Sequence, residues 1–139
     1  MNIRVSIIAL LLGISCTTNA QEPAQVTSEI LTQTTTSWDG SPLPAYPDGQ
    51  PQITVSRITI PSGTELGVHK HPIPLSAYVV SGELTVIKND TEQQIFTAGQ
   101  AIVETVDIWH YGRNAGSEDV VLIAFYAGIE GTPLSISQD

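Results

Sequence analysis

The chain has 139 residues, enough for one domain and too few for two comfortable ones. Apolar residues at 41% and charged residues at 14% exclude a disordered chain and a coiled coil. Fourteen acidic against five basic residues, a net charge of −9, disfavour nucleic acid and anionic lipid as partners. They also disfavour a strongly anionic substrate unless a metal supplies local positive charge.

Residues 1–20, "MNIRVSIIALLLGISCTTNA", carry a basic Arg4, an apolar run from Val5 to Ile14, and small residues up to Ala20. That is the layout of a secretory signal peptide. The run is shorter than the ~20 residues a bilayer-spanning helix needs. "LLGISC" opens a second route out of the cytoplasm, in which Cys16 is lipidated and becomes the mature N-terminus. On either route the protein is exported: periplasmic or secreted in one case, a lipoprotein in the other. Cys16 is the only cysteine. Cleavage after Ala20 therefore leaves a mature domain with no disulfide.

Residues 21–50 are rich in Thr, Ser, Gln and Pro and read as an extended arm. A short β segment is expected near Ser28–Thr35, with Ile30 and Leu31, and Trp38 and Tyr46 are expected to pin the arm to the domain. From Ile53 the rhythm becomes short β-like runs separated by turns: "ITVSRITI", "LSAYVV", "LTVIK", "QIFTAGQ", "AIVETV" and, after a loop carrying "WHYGRN", "DVVLIAFYAG". Regular spacing, β-branched content and the absence of any helical period predict an all-β barrel or sandwich over residues 51–130. Residues 131–139 read as a C-terminal tail.

The chain holds three histidines, two of them at i and i+2. On a strand, His69 and His71 then point to one side. Gly63, five residues, His69, one residue, His71 and, ten residues on, Gly82 resemble the first signature of the cupin superfamily. Gly99, His110 and Asn114 fall at the spacings of its second signature. The resemblance extends over roughly Ile53 to Gly128. It implies a double-stranded β-helix (jelly-roll) barrel in which His69, His71 and His110 bind a divalent transition metal: iron, zinc, nickel, manganese or copper. It also implies a homodimer, with the N-terminal arm wrapping the barrel or crossing to the partner.

Three positions depart from the pattern. Leu75 stands where the family places a glutamate ligand, Thr105 replaces a proline, and Asp107 replaces a glycine. Glu104, on the same strand face as Ile102, falls in a slot that is usually apolar. A carboxylate there is costly unless it is paired or metal-bound. It stands either as a replacement ligand or as a catalytic acid/base of raised pKa beside the metal.

Alternation also assigns Leu75, Ala77 and Val79 to the interior and Tyr78 to the outside or the rim. Ile123 and Phe125 are cavity candidates on the last strand, Trp109 is a wall of the entrance, and Lys70 and Arg113 are solvent-facing. The expected function is that of a small metalloenzyme, an oxygenase, isomerase or lyase acting on a small organic molecule. The alternatives are a binding module without turnover and a barrel that the metal only stabilises.

Overall fold

The computed structural model describes residues 25–138. Nine strands follow in chain order: β1 Pro51–Ile60, β2 His69–Lys70, β3 Leu75–Ser81, β4 Glu83–Lys88, β5 Glu92–Thr97, β6 Ala101–Val103, β7 His110–Arg113, β8 Val120–Ile129 and β9 Ile136–Ser137. They form two antiparallel sheets, ordered β1-β8-β3-β6 and β5-β4-β7-β2-β9. No helix occurs among the described residues, and the fold is the expected all-β barrel. None of the described residues forms a helix long and apolar enough to cross a membrane.

The core lies between the sheets. β8 pairs with β1 from Pro51↔Ile129 to Ile60↔Val120 and with β3 on its other side. Its inward set is Val120, Leu122, Ala124 and Tyr126, which packs with Ile60, Leu75, Val79, Leu84, Val86 and Ile102. Ile123 and Phe125 therefore lie on the outer face, with Phe125 44% exposed, and are not cavity residues. The run "VVLIAFYAG" is apolar at nearly every position, so composition does not specify which alternate set turns inward.

The expected β segment near Ser28–Thr35 does not form, and Ile30 and Leu31 are 75% and 54% exposed. As consecutive residues they would project from opposite faces of a strand, so neither face could bury both. The arm meets the domain three residues later. The Trp38 N–H donates to the Val103 carbonyl at 2.9 Å, and Trp38 packs on the core. Buried Asp39 accepts from the Ser41 N–H and hydroxyl and pairs with Lys88. Tyr46 does not pin the arm, being 76% exposed in a segment that Pro44 and Pro47 keep extended. Beyond β8, residues 131–138 turn back so that β9 lies alongside β2, with Lys70↔Ile136 and His69↔Ser137 in register.

Backbone conformation explains two sequence signals. Asp107, standing where a glycine is expected, adopts the left-handed region at φ 56°, which Asp tolerates. Gly82, between β3 and β4, has φ 79°, and a Cβ there would sit 2.7 Å from the Asp119 carbonyl oxygen and 2.9 Å from Val120 Cα. Gly63, at φ 73°, has open space instead. Gly63→Ala should therefore cost only the left-handed strain, roughly 1–2 kcal/mol. Gly82→Ala should cost roughly 2 kcal/mol more, because backbone must move as well. Urea unfolding of the two variants checks this, and equal losses would refute the packing account.

Candidate metal centre

Antiparallel pairing brings the histidines together. His69 on β2 is the register partner of His110 on β7, and His71 follows directly after β2 on the same side, bridged to Val106. The ring centroids are 4.7 Å apart for His69–His110, 5.1 Å for His69–His71 and 5.2 Å for His71–His110. One ring nitrogen from each lies within 4.8 Å of the others. His71 and His110 are buried and His69 is partly so. β7 itself was expected as a loop. Its Gly112 weakens the strand signal, yet a Cβ there would come within 3.2–3.3 Å of Leu84 and Leu66, so glycine allows the close packing.

Each imidazole is oriented by a main-chain carbonyl. Nδ1 lies 2.8 Å from the Gly67 oxygen in His69, 2.8 Å from the Leu134 oxygen in His71, and 2.9 Å from the Ile108 oxygen in His110. A carbonyl only accepts, so in each ring Nδ1 carries the hydrogen and Nε2 keeps its lone pair. Burial pushes all three pKa values down, that of His71 to about 4, which keeps the rings neutral at physiological pH. Three neutral imidazoles with convergent lone pairs are a donor set that fits a divalent transition metal. The outer carbonyls are the kind of support that fixes ligand orientation at such sites.

Glu104 lies just past β6, inside the cavity. Its N–H donates to the Leu75 carbonyl at 3.0 Å, so the carboxylate present and the position where one was expected are neighbours across the sheet. Its own carbonyl accepts from the Ser37 hydroxyl at 2.9 Å. Its Oε2 accepts from the Thr105 N–H at 3.3 Å and lies 3.5 Å from His110 Nε2, longer than a good hydrogen bond. The buried Trp38 indole N–H makes no hydrogen bond of good geometry, yet it lies close enough to Glu104 to favour the charged form. Burial outweighs these contacts and pushes the carboxyl pKa up to about 7. Thr105 thus gives the site what a proline could not, a backbone donor to Glu104. Its hydroxyl also lies 3.2 Å from His110 Nδ1.

The cavity holding these groups has a volume of about 360 Å³. Leu75 and Ala77 line it as expected, and Val79 is buried beyond it. Tyr78 is half-buried on the outer face. Trp109 does not wall the cavity. It lies under Lys70, whose Nζ is 5.3 Å from the ring and 3.2 Å from Asp107 Oδ1, so Lys70 is paired rather than freely solvated. Arg113 sits half-buried on β7, opposite in facing to His110. Tyr126, Leu134 and the rim residues Ser135 and Ser137 were not foreseen. Tyr126 could have been found by choosing the other alternate set of β8. The segment 131–138 carries no sequence signal for its role, because it contributes a main-chain carbonyl.

Comparisons with known proteins bear on the fold. The family profile described as the cupin domain matches residues 56–126. No curated protein matches the sequence. Among solved structures, the oxalate decarboxylase of Lactobacillus farciminis is 24% identical with a TM-score of 0.53, covering 61% of this chain and 26% of its own. The DMSP lyase DddQ of Ruegeria pomeroyi is 14% identical with a TM-score of 0.54, covering 62% and 43%. A Klebsiella pneumoniae protein with a double-stranded β-helix domain is 18% identical with a TM-score of 0.53, covering 67% and 88%. The chain thus spans about a quarter of the decarboxylase and under half of the lyase, and the likeness is one of fold.

The opposed pKa shifts set the pH response of metal-free protein. Protonated Glu104 is favoured in the folded state, so its contribution to stability is lost as pH rises from 4.5 through about 7. The neutral His71 makes the opposite contribution, gained between about 4 and 6.5. The parent's pH trend over this range is therefore the difference between the histidine gains, to which the depressed His69 and His110 add, and the Glu104 loss. Glu104→Gln should stabilise the protein increasingly with pH, by on the order of 3 kcal/mol at most by neutrality. Thermal unfolding in chelator reads the difference, and parallel curves for parent and variant would contradict the burial of this carboxyl.

Proposed function

The chain belongs to the cupin family, and from that premise we propose that it is a metal-dependent enzyme acting on a small organic molecule, as an oxygenase, isomerase or lyase. The observation that carries this reading is the set of three imidazoles, each with Nδ1 committed to a carbonyl and Nε2 turned inward, beside a buried carboxyl. His69, His71 and His110 would hold the ion: iron, zinc, nickel, manganese or copper. When bound, it supplies Lewis acidity and open positions for substrate or dioxygen.

The chain's own residues do the rest. Glu104, with a pKa of about 7, takes or returns a proton near neutrality at its Oε2. The Thr105 N–H and the Ser37 hydroxyl keep that oxygen and its backbone in place. Leu75, standing where a ligand was expected, leaves an apolar wall that limits water around the carboxyl. Glu104 Oε2 is 3.5 Å from His110 Nε2, while the cluster of ligand atoms within 4.8 Å of one another comprises the three histidines alone, which supports a proton-transfer role beside them.

His69→Ala, His71→Ala and His110→Ala should each abolish stoichiometric metal binding, measured by elemental analysis after dialysis. Glu104→Gln should retain the metal and lose turnover, tested as oxygen uptake or substrate loss with small acids, diketones and phenols. Three alanine variants that hold metal as well as the parent would sink the reading. Metal binding with no turnover across the panel would favour a binding module instead.

Export and dimerisation belong to the same proposal. The layout of residues 1–20 supports the first, and the exposed apolar Ile53, Val55 and Phe125 on the outer sheet face support the second. The protein should fractionate outside the cytoplasm and sediment at twice the monomer mass. Release from the membrane fraction by Cys16→Ser would identify a lipid anchor, whereas a cytoplasmic monomer would refute both points.

A further inference from the structure

The cavity wall bears on which small molecule the site takes. Its buried polar groups gather at one end: the three imidazoles, Glu104 and Tyr126, whose ring lies 5.9 Å from His71. The opposite wall is hydrocarbon, including Ile60, Leu84, Val86, Ile102 and Leu122. Ser135 and Ser137 reach the lining only from the exposed rim.

Among the described residues no lysine or arginine lines the cavity. Each of the four is placed elsewhere. Arg57 is exposed on β1, and Lys70 pairs with Asp107. Lys88 pairs with Asp39 and Glu92, and Arg113 faces away from the cavity side of β7.

These facts limit the occupant. A dianion could be met by the metal alone at the histidine end, with no cationic side chain to pair a second anionic group that reaches the hydrocarbon wall, and the net charge of −9 opposes its approach. A polyhydroxylated molecule would leave hydroxyls unpaired against the hydrocarbon wall, at about tenfold in affinity for each. A volume of about 360 Å³ is at the small end of ligand pockets.

We infer that the substrate is a small, largely apolar molecule with a single oxygen-bearing head group, neutral or singly charged, and not a dicarboxylate, a phosphate ester or a sugar. This rests on the metal-site reading above. The head group faces the histidines and Glu104, and the hydrocarbon body lies against Leu84, Val86 and Leu122.

Alkyl hydroxamic acids, which present one metal-binding head on a chain of chosen length, test the inference by calorimetry on zinc-loaded protein. From acetyl through butanoyl to hexanoyl, affinity should rise about fourfold per methylene, more than a hundredfold over the series. Oxalate and inorganic phosphate should bind more weakly than the hexanoyl probe. Ala124→Leu narrows the cavity, so it should weaken the hexanoyl probe at least tenfold while leaving the acetyl probe, and hence the fold and the metal, as in the parent. Should that variant fail to fold, Ala77→Val makes the same comparison.

A flat series, or oxalate or phosphate binding as tightly as the hexanoyl probe, overturns the inference while leaving the metal reading intact. The converse failure is separable with 1-hexanol and ethanol on metal-free protein. A protein that takes no zinc yet prefers 1-hexanol keeps the apolar cavity and loses the metal reading, and one that takes neither loses both.

Discussion

Three hydrogen bonds from imidazole N–H to backbone oxygen govern what this barrel can do. Each fixes a tautomer and a ring plane, and together they leave three unshielded lone pairs turned toward one another in a low-dielectric interior. Lone pairs so arranged have no mutual attraction, so something else must hold the rings in place. The two sheets do so: the His69↔His110 pairing sets one distance, and the return of the chain to Leu134 sets the orientation of the third ring. Gly67, Ile108 and Leu134 thus support the site through their main-chain oxygens rather than their side chains.

The departures from the family pattern form one connected change. Leu75 and Glu104 are joined by a backbone hydrogen bond, so the carboxylate is displaced across the sheet to the neighbouring chain segment. Thr105, next in sequence, then supplies the N–H that the displaced carboxylate accepts, together with a hydroxyl beside His110. A leucine, a glutamate and a threonine that look like separate substitutions are neighbours in one arrangement. The arm completes it from the other side through Ser37 and Trp38.

How much of this could be read beforehand depended on whether side chains or backbone carried the information. The histidines and Glu104 were legible because strand alternation and fixed spacing convert directly into facing. β8 was not, since a run apolar on both faces leaves its inward set to be decided by the rest of the fold, and Tyr126 was missed with it. β7 is not legible as a strand, because Gly112, whose small size permits close packing, is also a turn signal. The segment after Glu130 was read as a tail because a carbonyl acceptor is common to every residue type, and no sequence pattern marks where one will be used. In the arm, Trp38 was legible as an anchor, whereas Tyr46, equally aromatic, stays exposed between Pro44 and Pro47.

The carbonyl of Leu134 is also a matter of timing. A chain is made from its N-terminus, so His69, His71 and His110 all exist before the residue that orients His71. In that interval the His71 ring lacks the acceptor that fixes its tautomer, whereas His69 and His110 take theirs from Gly67 and Ile108, which are already made. The three oriented rings are complete only once the segment carrying Leu134 has docked beside β2. The donor set is thus finished by the last stretch of chain rather than by the strands that carry His69 and His110.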